Sequence, residues 1–84
     1  ATISGNSIED AWMSAIVIGH ARAVHVVGNT ILDANVAHAN GQAGVYLHAH
    51  ATGCVVSGNL VTALTQPALT PVLDKAVAGA NSVQ

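Results

Sequence analysis

The stretch Val24-His25-Val26-Val27-Gly28-Asn29-Thr30-Ile31 decides how the chain is read, because its pattern returns on both sides of it. Ile3-Ser4-Gly5-Asn6-Ser7-Ile8 precedes it, Val56-Ser57-Gly58-Asn59-Leu60-Val61 follows it, and Ala78-Gly79-Ala80-Asn81-Ser82-Val83 is a worn copy further on. In each copy an apolar or small residue stands three before the Asn and an apolar one two after it. The Asn residues are 23, 30 and 22 positions apart. A unit of about 22 residues is too small to bury its own core and must stack on its neighbours. The excess in the second interval is placed in the small, polar segment 35–41, which is read as a loop insertion. Residues 65–84 match least well and are read as a weaker terminal coil.

Two short strands are predicted in each unit. Val24 and Val26 alternate with His25, and Cys54 and Val56 alternate with Val55, so the first-named residues face a core. Ile16 and Ile18 do the same in a second strand, matched by Val45 and Leu47 and more weakly by Leu69 and Pro71. Aligning Asn6 with Asn59 places Ala15-Ile16 over Ala68-Leu69 and Arg22-Ala23-Val24 over Lys75-Ala76-Val77. A third short segment carries Ile8, Ile31 and Val61. Val, Ile, Gly and Asn at this density disfavour helix. Asn6, Asn29, Asn59 and Asn81 are expected at a sharp bend, where Asn tolerates a left-handed backbone and its amide can donate and accept along a ladder of identical neighbours. Pro67 and Pro71 remove ladder donors, so the last coil is expected to be an edge or a cap.

Composition narrows the function classes. The chain has 84 residues, 51% hydrophobic, 2% aromatic and only 7% charged, with a formal net charge of -2. A typical soluble surface has about a quarter charged residues, so much of this one is expected to lie against something else. Two Lys plus Arg cannot supply the phosphate contacts of nucleic-acid binding. No apolar run is long enough for a bilayer span and no signal-peptide pattern stands at the start; neither nucleic acid nor membrane is an expected partner. Cys54 is the single cysteine, aligned with inward positions, and is read as a small core residue. The repeat is already under way at Ala1 and stops just after Asn81, so the expectation is an excerpt of a longer polypeptide.

The recurring apolar, x, Gly-Asn, x, apolar pattern resembles the right-handed parallel β-helix of pectate-lyase-like proteins, over nearly the whole chain. The resemblance implies an all-β, single-stranded parallel solenoid of three to four coils. That superfamily includes polysaccharide lyases, glycoside hydrolases, mannuronan epimerases and trimeric phage tailspikes. The resemblance therefore implies a polysaccharide or surface glycan as partner, a homotrimer or the rest of a longer β-helix as assembly, and an extracellular or virion-surface location. Fold alone does not assign an activity.

Three groups of residues could carry chemistry. Asp10 and Asp33 each follow their Asn by four and should lie on adjacent coils, about 4.8 Å apart at the backbone. Paired carboxylates raise each other's proton affinity and can divide acid and base roles; Glu9 precedes the first, and Trp12 offers a ring to a sugar. The competing reading makes both Asp turn residues and Trp12 a cover for a coil edge. Tyr46, His48 and His50 alternate with core-facing Val45 and Leu47. In the family, this outward face often lines the glycan groove, where Tyr46 and His50 would bind and His48 would act as base on a uronic acid. Against this, no carboxylate stands near to orient the His, and no Lys or Arg stands close to neutralise a substrate carboxylate. Finally, His48 and His50 with one of His20, His25 or His38 fall short of a tetrahedral metal set. No metal and no cofactor are expected. The preferred reading is a structural, glycan-contacting module without a complete active site; the alternative is part of the catalytic β-helix of a lyase, hydrolase or C5-epimerase.

Overall fold

The computed structural model describes all residues, 1–84, and winds them into about three turns of an all-β parallel solenoid. The first coil carries β1 (Thr2–Ser4), β2 (Ser7–Glu9) and β3 (Ile16–Ile18). The second carries β4 (His25–Val27), β5 (Thr30–Leu32) and β6 (Ala43–Leu47); the third carries β7 (Val55–Ser57), β8 (Leu60–Thr62) and β9 (Thr70–Asp74). A short β10 (Ser82–Val83) opens a fourth. Corresponding strands pair in parallel to make three sheets: sheet A is β1-β4-β7-β10, sheet B is β2-β5-β8, and sheet C is β3-β6-β9.

Stacking puts like residues in columns. Ile3, Val26, Val56 and Val83 form one, Ile8, Ile31 and Val61 a second, and Ile16, Val45 and Val72 a third. Val26, Ile31, Val45, Leu47 and Val56 are all at 0% exposure, so the middle coil supplies most of the core. Gly44, in β6, has no substitute: a Cβ there would lie 2.7 Å from the Pro71 carbonyl oxygen and 2.9 Å from Val61 Cγ1. Such overlap forces backbone movement.

The corner between sheets A and B is the Gly-Asn step. Gly5, Gly28 and Gly58 take φ of 66, 65 and 64°, so the left-handed bend belongs to the glycine and not, as expected, to the Asn after it. That freedom lets each Asn turn inward. Asn6 donates both its backbone N–H and its Nδ2 to Asn29 Oδ1, each at 3.0 Å, and Asn29 donates in the same way to Asn59 Oδ1 at 2.9 Å. Asn29 is 1% exposed, and a buried amide with all its groups engaged specifies the register of the stack.

Asn81 is not a rung of this ladder. Ser82 pairs with Val55, which places Asn81 in the column of Val24 and Cys54 instead. The cause is length variation between sheets B and C, where the chain runs from Ile8 to Ile16 in the first coil, from Ile31 to Val45 in the second and from Val61 to Val72 in the third. The third coil's corner is longer than the first's, so Val72, not Leu69, lies under Val45, and Pro71 lies outside that inward column. Lys75 shifts away from Arg22 for the same reason; Arg22 bridges Thr52.

Segment 35–41 lies in the longest corner and is not a free loop. Asn35 is buried, and its amide closes the loop on itself, donating to the Ala39 carbonyl at 2.8 Å and accepting the Ala39 N–H at 2.9 Å. The N–H groups of Asn35, Val36 and Ala37 donate to the carbonyls of Met13, Ala11 and Trp12. The insertion is thus clamped to the shorter corner of the coil above.

Candidate functional site

Asp10 and Asp33 occupy the same point on successive coils, just after sheet B. The Asp10 N–H donates to Leu32 O at 2.9 Å and the Asp33 N–H to Thr62 O at 2.8 Å. Both take left-handed backbone, with φ of 54 and 58°. Their surroundings differ. Asp10 is exposed and its carboxylate bonds to nothing in the chain, whereas Asp33 is buried and its Oδ1 accepts the backbone N–H of Thr65 at 3.0 Å and that of Leu64. These amides, Thr65 first and then Leu64, hold the Asp33 carboxyl below its ordinary value of 3.8, and the opposing effect of burial does not cancel them.

An acid–base pair needs one carboxyl with raised proton affinity. Asp33 is shifted the other way, and its oxygen is committed to a turn. Its geometry is that of a turn residue pinning the next coil's corner. Trp12 stands two residues after Asp10 and is 67% exposed, and Met13 beside it is also exposed.

Sheet C presents the other candidate. With Val45 and Leu47 inward, Tyr46 turns outward between Val17 of β3 and Leu73 of β9. Val17 is 52% exposed, so this row is an open strip with the Tyr46 ring at its centre. The Tyr46 and His48 rings lie 4.5 Å apart at their centroids, tilted by 58°. His50 stacks on His20 of the coil above, centroids 5.0 Å apart and planes 21° from parallel. His48, His20 and His50 are exposed, and no side-chain hydrogen bond orients their rings. Trp12 joins neither ring pair, so the two candidate groups stay on separate elements.

The structure adds residues that sequence reading did not bring here. Leu47 pairs with Asp74 and accepts the N–H of Lys75, so Lys75 follows β9 at the level where His48 follows β6. Arg22 leaves the coil above at the end of the same sheet and, with Ala23, Thr52 and Gly53, lines an open depression of about 660 Å³. The chain's two cations and three of its five His therefore follow the strands of sheet C, with Asp74 at the end of β9 beside Lys75, while Glu9 ends β2 and Asp10 and Asp33 follow sheet B. His20 was discoverable, since it precedes His50 by the same 30 positions that separate Asn29 from Asn59. Lys75 was not, because its level depends on the uneven corners.

The other single residues are structural. Cys54 is a free thiol at 1% exposure in the column of Val24. No three His, Cys, Asp or Glu side chains gather in a way that could hold a metal ion. Chemically, the sheet C strip and the residues just past it offer ring faces and imidazole nitrogens, groups that can meet the C–H faces and hydroxyls of a polar ligand. No family model, no curated protein and no solved structure matches this chain.

Proposed function

We propose that this chain is a structural and glycan-contacting module of a parallel β-helix of the pectate-lyase-like kind, and that its contact surface is the outward strip of sheet C. The observation that carries the reading is the Tyr46–His48 ring pair, half-buried Tyr46 lying between Val17 and Leu73 and exposed His48 following it, with the His20–His50 stack just past the strands. A flat parallel sheet holds such rings at fixed heights on neighbouring coils. Sugar rings offer apolar C–H faces to aromatic rings and hydroxyls to imidazole nitrogens, so a strip of this kind matches an extended saccharide better than a compact ligand. Leu60 and Leu64, 60% and 75% exposed on and beside β8, are the apolar surface we assign to packing in a homotrimer or against the rest of a longer β-helix.

Titration of the ¹⁵N-labelled chain with oligogalacturonate, oligomannuronate and a neutral dextrin tests the reading. At least one should shift the Tyr46 and His48 amides, and Tyr46→Ala should weaken that binding about tenfold, the scale of one lost ring contact. Absence of any shift at millimolar saccharide, with the chain folded, would sink the proposal.

A second reading, part of the catalytic groove of a polysaccharide lyase, glycoside hydrolase or C5-epimerase, is favoured by one observation: Lys75 follows β9 at the level where His48 follows β6. A cation there could neutralise a uronate carboxylate while His48 removes a proton. Turnover of a uronan by the chain, or by a longer protein containing it, that survives His48→Ala and Lys75→Ala would remove this reading and leave the first.

A further inference from the structure

An Asn side chain loses its amide when the backbone nitrogen of the next residue attacks its Cγ, so the reaction needs a mobile side chain and a free N–H behind it. Of the six Asn in the chain, five are held against this. Thr30, Val36, Leu60 and Ser82, which follow Asn29, Asn35, Asn59 and Asn81, donate their N–H groups to the carbonyls of Asn6, Ala11, Asn29 and Cys54. Asn6 precedes Ser7, and its Nδ2 is bonded to Asn29 Oδ1 and Ser4 O.

Asn40 is the exception. It is exposed, its side-chain amide bonds to nothing in the chain, and the N–H of Gly41 after it donates to nothing. Gly41 takes φ of 73° and has open space where a Cβ would stand, so its nitrogen is uncrowded. The step also lies between two anchors. On one side the Asn35 amide bonds Ala39, and on the other Gln42 Oε1 accepts the Ser14 N–H at 3.1 Å and the Ser14 hydroxyl at 2.8 Å. Asn40 and Gly41 alone bridge the gap, at the kind of exposed loop tip where covalent change concentrates.

We propose that Asn40-Gly41 is a modification site, at which the folded chain converts Asn40 to isoaspartate and aspartate without an enzyme, and that the isoaspartyl form is a substrate for an isoaspartyl carboxyl methyltransferase. The Gly41 nitrogen gives its proton to solvent base and bonds to Asn40 Cγ. The Cγ–Nδ2 bond breaks, and ammonia leaves with a proton from water, which closes a five-membered succinimide. Water then adds to one of the two ring carbonyls. Opening at the main-chain carbonyl gives isoaspartate, and opening at Cγ gives aspartate. Either product sets a carboxylate in a stretch, residues 34–73, that holds no Asp, Glu, Lys or Arg. Isoaspartate also adds one carbon to the backbone between the Ala39 and Gln42 anchors. The proposal is independent of any glycan.

Ageing the chain at about pH 8 tests it, folded in buffer and unfolded in urea. Peptide mapping by mass spectrometry follows each Asn, and methyl uptake from S-adenosylmethionine by a purified isoaspartyl methyltransferase counts the isoaspartyl product. In the folded chain Asn40 should deamidate about tenfold or more faster than each of the other five, because their bonds must first open locally. That gap should narrow in urea, where the fold no longer holds the others. Methyl uptake should rise with loss of Asn40 and vanish in Asn40→Gln, whose longer side chain closes the ring far more slowly. An Asn40 that stays intact in the folded chain while it deamidates in urea overturns the proposal, since the corner would then protect it. Deamidation of Asn29 or Asn59 in the folded chain at the rate of Asn40 overturns it as well, and so does loss of the Asn40 amide with no methyl uptake.

Discussion

Asn29 lies between Asn6 and Asn59 and is bonded to both. Its Oδ1 takes two N–H groups from the coil above, while its Nδ2 donates to Ile3 O, Val27 O and Asn59 Oδ1. Replacing it by Ala strands several buried groups at once, each costing about 1–3 kcal/mol when left unsatisfied. Asn29→Ala should therefore lower unfolding stability by roughly 3 kcal/mol, whereas Asn6→Ala, at the exposed head of the ladder, should cost about 1 kcal/mol or less. Urea denaturation of the two variants checks the ordering; equal losses would mean that the ladder is not the organising contact. The same residues show what pattern reading misses. The Gly-Asn step was correctly taken as the bend, yet which of the two residues adopts positive φ is settled by the need to turn the Asn side chain inward.

The corner after β5, between sheets B and C, is held by a carboxylate. Asp33 fastens its coil to the next through the amides of Thr65 and Leu64, which hold its carboxyl below 3.8. A carboxyl whose folded value is depressed stabilises the fold above its unfolded value and loses that contribution as pH falls through the folded one. The stability of the chain should thus exceed that of Asp33→Ala by a constant margin near neutrality, and the margin should close below about pH 4. Denaturation midpoints between pH 7 and 2.5 measure it; a margin independent of pH would show that the carboxylate is not ionised in the turn. At this scale the sequence left two readings side by side, an acid pair and a pair of turn residues. It carried the acid pair on adjacent coils, but not the fact that the third coil's corner reaches back to consume one of the two carboxylates.

Over the whole molecule, burial is concentrated in the middle coil, with both end coils sharing its contacts. Amides of β4, β5 and β6 should exchange with solvent slowest, and those of β1 and β10 fastest, because local opening follows buried apolar contact. Native-state hydrogen exchange tests this, and uniform protection along the chain would contradict the additive, repeat-by-repeat stability expected of a solenoid. Charge is also organised at this scale. Arg22 and Lys75 are far apart in sequence, yet both follow strands of sheet C, as do His20, His48 and His50.

The sequence by itself determined the architecture: parallel coils, three strand positions per coil, the inward columns of Val, Ile and Leu, and a Gly-Asn ladder. These follow from a pattern that repeats locally, with side chains alternating at the strand period. It also placed Tyr46, His48 and His50 on the outer face, since their alternation with Val45 and Leu47 needs no partner to be read. Tertiary structure alone decided what depends on register between coils: that Asn81 stands in the column of Val24 and Cys54 instead of extending the ladder, that Leu69 yields its place to Val72, that His20 stacks on His50, and that Lys75 comes level with His48. The physical reason is that a solenoid fixes neighbours by hydrogen-bonded stacking, while corners of unequal length cost little and shift the numbering at which residues meet.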